Sequence, residues 1–255
     1  MPPLDIFFYP FFFILGLMFG SFYNVVGLRI PKKESIISPP SHCPHCNRQL
    51  NSLDLIPLIG FLARKGKCAS CKEPIAVLYV LIEAFTGFLF LLSYHQLKGD
   101  WLELIVALLF ISMCVIVTVS DLAYTLIPNK VLLFFLPLLF IARVLSHPLP
   151  LTEYAIGAIA GFGVFFLVAV MKPGAMGMGD VKLFALIGWI IGWQLILIAL
   201  FFASLMGLIA GLNLIRKGKA TMKAAIPFGP FLSAGSILAY FWGAKLLESY
   251  FSLFY

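Results

Sequence analysis

Charge is scarce in this chain. Only 11% of its 255 residues are Asp, Glu, Lys or Arg, against 62% hydrophobic, and the mean hydropathy is +1.02. A soluble domain of this length has no need of so apolar a composition, which leaves a polytopic membrane protein. The alternating pattern of barrel strands is also missing, so the spanning segments are helices, whose backbone polar groups find partners within the segment. No low-complexity tract or internal repeat stands out, and "GMGD" (177–180) lacks the strand and full glycine set of a phosphate loop. No Lys or Arg precedes the first apolar run, "MPPLDIFFYPFFFILGLMFG", and no small-residue cleavage site follows it. It reads as a retained helix with its N-terminus outside.

What is present fits an all-α polytopic membrane protein of about eight transmembrane helices, with a small cytosolic zinc-ribbon-like insertion after the first. Apolar runs near 6–27, 75–93, 102–120, 131–146, 153–171, 183–198, 199–215 and 228–247 are long enough to be spans. Residues 183–215 are short for two full spans and must turn near Gly192 to Gln194; a single long helix or a re-entrant pair also suits them. The domains expected are 1–28, the first transmembrane helix; 29–74, a cytosolic module; and 75–255, a helical bundle. Of 18 Lys and Arg, 15 fall on one side of this topology, leaving Lys98, Arg143 and Lys245 for the other. That bias puts the 29–74 loop in the cytosol, and a basic face beside anionic lipid accounts for the net charge of +7 without nucleic acid.

Cysteine is sparse as well, five in all, but four are organised. Cys43 and Cys46 ("CPHC") and Cys68 and Cys71 ("CASC") form two C-x2-C knuckles spaced to converge on tetrahedral zinc. Disulfides would not persist in a reducing cytosol. Thiolate ligation also supplies folding energy to a loop with few large apolar residues, so the zinc is structural. His42 and His45 flank the first knuckle, where either is a candidate substitute ligand, but they read better as solvent-exposed loop residues, and Cys114 reads as a packed apolar one.

Most of the eleven acidic residues fall on outer helix ends or in the cytosolic loop. Glu83, Asp121 and Asp180 are left at membrane depth, where an ionisable group marks a functional site. Asp121 ends the third span going inward and Asp180 begins the sixth going outward, so both lie at the cytosolic edge. Two carboxylates sharing a partly desolvated site cannot both ionise easily; one keeps a proton while the other activates water, the equipment of acid–base peptide hydrolysis. Gly177 and Gly179 would let the backbone bend beside an extended peptide, with Asp180 near a helix start. Simple helix capping by both aspartates is the plainer alternative.

Several motifs combine: "GSFYNVVGLRIP" (20–31), the paired knuckles, "DLIPLIGFLARKGKC" (54–68), "YVLIEAFTG" (79–87), "SDLAYTLIPN" (120–129), "MGMGDVKL" (176–183) and "PFGPFL" (227–232). Together they resemble the type IV prepilin peptidases, membrane aspartyl proteases of the GxGD class, over nearly the whole chain. The resemblance implies a catalytic pair of Asp121 and Asp180, with Gly177, Gly179, Lys182, Pro227, Gly229 and Pro230 supporting the protease site. It implies removal of a short basic leader from prepilins or pseudopilins after a glycine at the cytosolic face of a prokaryotic inner membrane. It further implies N-methylation of the new terminus with S-adenosylmethionine, drawing on Gly20, Ser21, Asn24, Arg29, Pro31 and Glu83. A snorkelling Arg29 and a packed Glu83 explain those two residues nearly as well.

Rival classes explain less. A proton-coupled transporter would need charges nearer the midplane and two related half-bundles. A membrane methyltransferase with an inactive protease site would not need Asp121 and Asp180 intact, and a zinc-ribbon scaffold leaves both carboxylates unexplained.

Overall fold

The computed structural model describes residues 5–172, 176–218 and 226–252. Among these residues the regular elements are all helices, with an irregular loop over most of 30–76: α1 Asp5–Arg29, α2 Ile59–Ala63, α3 Val77–Leu97, α4 Trp101–Tyr124, α5 Asn129–Leu145, α6 Leu151–Met171, α7 Met178–Ile191, α8 Trp193–Arg216 and α9 Gly229–Phe251. The eight long helices follow the eight expected apolar runs, and α2 is a short turn within the loop. The end of the basic segment expected at 216–223 lies outside the described residues. Helices α1, α3, α4, α6 and α8 are long and apolar enough to cross a membrane. At 1.5 Å per residue, the 14 residues of α7 reach about 21 Å, short of a bilayer core of about 30 Å.

The ambiguous stretch 183–215 is two helices rather than one. Gly192 sits at φ 81°, a left-handed conformation that ends α7, and its N–H bonds back to the Gly188 carbonyl at 3.0 Å. The break falls within the turn expected near Gly192 to Gln194, so 193–198 belong to α8 rather than to the run drawn over 183–198.

Packing divides the chain into Met1–Leu104 and Ile105–Tyr255. In the first unit α1 packs along α3, so α3 groups with α1 and the loop between them rather than with the later helices, where the 75–255 expectation put it. In the second unit α7 touches α5, α6, α8 and α9. Gly157 and Gly188 bring α6 and α7 so close that a Cβ on either would strike the other's carbonyl oxygen. Small residues at such crossings let backbones pack directly where water exclusion gives no drive between helices. Side chains of α4 from Val106 to Val119, Cys114 included, are almost all buried. Helix α9 runs antiparallel to α4: Phe110 meets Tyr240 at 5.6 Å between ring centres, and Asp121 meets Gly229.

Candidate active site

Asp121 lies in the last turn of α4, where its carbonyl accepts the Thr125 N–H at 2.8 Å and Thr125, at φ 50°, turns the chain away. The Asp121 side chain points into the bundle, the residue being only 5% exposed, and Oδ2 accepts the Gly229 N–H at 2.8 Å. That N–H is free to donate because Gly229 opens α9, ahead of the first hydrogen-bonded turn. Pro230 follows in the first turn, where a missing N–H costs nothing, and Pro227 is half-buried just upstream. A Cβ at Gly229 would stand 2.8 Å from the same carboxylate oxygen, so glycine is what lets α9 begin against Asp121.

Asp180 is half-buried in the first turn of α7, the end of the helix dipole that favours an anion. It is near enough to Asp121 for their charges to interact. The flanking glycines serve a purpose other than the bend expected of them. Gly177 is ordinary extended backbone (φ −75°, ψ 143°) and Gly179 is already helical. They provide space: a Cβ at Gly177 would lie 3.0 Å from Asp180 Oδ2, and one at Gly179 would lie 2.9 Å from Ile127 Cβ. Lys182 Nζ donates to Asn129 Oδ1 at 3.0 Å, and Ser120 Oγ donates to the Leu126 carbonyl at 2.6 Å. The segment 125–129 is thereby stitched to both aspartate-bearing helices. Ile127 and Asn129 were not singled out from sequence; they stood within "SDLAYTLIPN", but nothing local shows that they touch residues some fifty positions later.

In the first unit, Gly20 on α1 packs on the backbone of Glu83 and the side chain of Thr86 on α3. Asn24 Nδ2 donates to the Tyr79 carbonyl at 3.1 Å, Arg29 Nη1 to the Ser35 carbonyl at 3.0 Å, and Glu83 Oε2 accepts the Leu58 N–H at 3.0 Å. Ser21 and Pro31 are half-exposed at the same end of α1. These bonds fold the α1–α3 corner and pin the loop to it. Each is internal, so they do not by themselves define a cradle for S-adenosylmethionine.

The four cysteine sulfurs lie within 4.8 Å of one another, with Cys43–Cys71 at 3.8 Å and Cys46–Cys68 at 3.9 Å. These are free thiols, and a Zn–S bond of about 2.3 Å predicts a tetrahedral edge of about 3.8 Å. The donor set fits a zinc ion. The two knuckles are built alike. The N–H of Cys43 bonds to the Arg48 carbonyl and that of Cys68 to the Glu73 carbonyl, both at 2.9 Å, and Asn47 and Lys72 hold the equivalent left-handed positions at φ 54° and 61°. The thiols titrate as a group: backbone N–H groups of Cys71 and then Ser70 directed at Cys68 lower its thiol to about 6, whereas Cys71, although the Glu73 backbone works to lower it, is pushed up to about 12 by burial and the neighbouring thiols. His42 and His45 are exposed and lie outside the cluster. Nearby, Asp54 takes Arg64 at 2.9 Å, Arg48 at 2.5 Å and the Asn51 N–H at 3.2 Å. Burial works to raise its carboxyl, but these partners, Arg64 foremost, hold it below the ordinary value. This ion-paired knot was not visible in the sequence, because Arg48 and Arg64 lie six and ten positions from Asp54, across a loop and the short α2, with no periodic pattern linking them.

The fold and these two centres define a helical protein with several helices apolar and long enough to cross a membrane, two aspartates at neighbouring helix ends and a tetracysteine module. The chain belongs to the type IV leader peptidase family. The model of that family matches residues 108–212, and the bacterial peptidase A24 N-terminal domain matches 14–97. Three relatives carry the name prepilin leader peptidase/N-methyltransferase. That of Bacillus subtilis (strain 168) is 42% identical over 94% of this chain and 97% of its own length. Those of Aeromonas salmonicida (strain A449) and Pseudomonas aeruginosa are 33% and 31% identical, over 94% and 93% of this chain and 92% and 91% of their own lengths. No solved structure matches the chain significantly.

Proposed function

We propose that this protein is a membrane aspartyl peptidase that removes the short basic leader of prepilins or pseudopilins after a glycine, and then N-methylates the residue exposed. The observation that carries the proposal is that Asp121 and Asp180, at the ends of α4 and α7, lie within electrostatic reach of each other, with Gly229 bonded to Asp121 and Gly177 closely packed on Asp180. One carboxyl holds a proton and the other takes one from water. The water oxygen attacks the scissile carbonyl, and the protonated carboxyl passes its proton to the departing amine nitrogen. The Gly229 N–H fixes the orientation of the Asp121 carboxylate through these steps.

The excess of Lys and Arg on the side of the aspartates and the 29–74 loop supports a cytosol-facing site in the inner membrane of a prokaryote. Cys43, Cys46, Cys68 and Cys71 would hold structural zinc, whose chemistry is to fold the module by ligation. S-adenosylmethionine would supply the methyl group. A proton-coupled transporter is not favoured, because both carboxylates sit at helix ends rather than along a central pathway.

The narrow setting of the aspartates makes the glycine before the cut a steric requirement. In proteoliposomes, a prepilin with that glycine replaced by leucine should be cleaved at least about 100-fold more slowly, the scale of losing alignment at the reacting bond. Cleavage at the normal rate would remove the narrow-site account.

A further inference from the structure

The motif "DLIPLIGFLARKGKC" is left without a task by the peptidase chemistry, and its side chains are placed unusually. Leu53, Ile59 and Leu62 are 69%, 61% and 70% exposed, and Leu55 and Ile56 are exposed beside them. Isolated exposed apolar residues are ordinary, but five within ten residues of a polar loop form a patch that calls for a covering partner. Immediately after it, Arg64, Lys65, Lys67 and Lys72 line a hollow of about 440 Å³. A third observation fixes the depth of the segment. The Leu58 N–H is bound to Glu83, which lies six residues inside α3, so the loop folds back along the helix by about 9 Å at 1.5 Å per residue. The neighbouring Gly20 is likewise nine residues before the end of α1. Since α1 and α3 both have the length and composition of membrane spans, a segment held at that level stands in the boundary between headgroups and acyl chains.

We propose that residues 53–72 form a membrane-docking element. The apolar side chains of 53–62 enter the interface, and the basic hollow takes the phosphate of an anionic lipid headgroup. The occupant is the bilayer to which the chain is already anchored at both ends of this loop. Burial of interfacial apolar side chains by about 5–10 Å, reinforced by lysine and arginine against anionic lipid, is the way amphipathic segments lie on membranes. The proposal rests on the span assignment of α1 and α3 and is independent of the peptidase reading.

The test uses the full chain, zinc-loaded, in vesicles of phosphatidylcholine with or without 30% phosphatidylglycerol. A fluorescent amino acid is placed at Leu62 and, as a control, at the exposed His45. With anionic lipid, the Leu62 probe should be quenched by a nitroxide at the lipid headgroup or upper acyl chain, and should be at least fivefold less open to aqueous iodide than the His45 probe. Pure phosphatidylcholine, or the double variant Lys65→Gln/Lys67→Gln, should reduce that lipid quenching at least twofold with zinc content unchanged. Iodide access equal at the two positions would overturn the proposal. Protection from iodide without lipid quenching would also overturn it, since another protein surface would then cover the patch. Lipid quenching indifferent to both lipid charge and the lysine variants would overturn the headgroup site.

Discussion

At the scale of single residues, Asp121 and Asp180 stand out in the sequence because charge is so rare in this chain, and the structure brings them within electrostatic reach of each other. Gly229 and Lys182 were picked out only through the family resemblance, and what each of them touches was not legible. The Gly229 N–H reaches Asp121 across 108 positions of sequence, and the Asn129–Lys182 bond spans 53; such pairings follow from how helices pack and leave no periodic trace. Gly177 and Gly179 were recognised for the wrong physical reason, as hinges where they are clearances. Gly229 is the most informative of these. Gly229→Ala would put a methyl group 2.8 Å from Asp121 Oδ2, so the carboxylate must move while α9, already helical there, tolerates alanine. The turnover number should fall about 100-fold, the cost of a displacement near 1 Å at a reacting group, with little change in thermal unfolding. Wild-type turnover in the alanine variant would show that the Gly229 contact does not position the carboxylate.

At the scale of elements, the helices were read from apolar run length and the cysteine module from its spacing, since both signals are local. The turn expected near Gly192 to Gln194 is where α7 ends, at the left-handed Gly192; only the nominal run limit at 198 was too late, because "LILIALFF" continues the apolar run without interruption. The α6–α7 crossing was missed altogether, although Gly157 and Gly161 stand one turn apart on the face that meets α7. Gly188→Val should therefore force the helices apart and destabilise the second unit by about 1–3 kcal/mol, read as a lower unfolding temperature in detergent. An unchanged unfolding temperature would mean that the crossing is looser than described. For the module, the double variant Cys43→Ser/Cys46→Ser removes two of four thiolates. Metal content should fall from one zinc per chain to none, and methylation should fall further than cleavage, because the aspartates sit on helices packed by their own contacts. Equal loss of both activities would instead make the module part of the peptide site.

At the scale of the whole molecule, a chain with little charge, no barrel pattern and one polar insertion could hardly be anything but a helical membrane protein. How its helices group is less transparent: α3 follows the cysteine loop in sequence yet packs on α1, so the compact unit ends at Leu104 rather than at the loop's edge. Apolar composition specifies that a helix is buried in lipid or protein, but not which helix it meets. The central claim is that two aspartates on α4 and α7 together cut a leader peptide. Co-expression with a prepilin, followed by intact-mass measurement of that substrate, tests it most directly. The wild-type enzyme should yield a product lacking its leader and heavier by one methyl group, whereas Asp121→Asn and Asp180→Asn should each lower cleavage by about 10²–10⁴-fold, the usual worth of a positioned acid or base, and leave the prepilin at full length. Wild-type levels of the cleaved product with either amide variant present in the membrane would contradict the account.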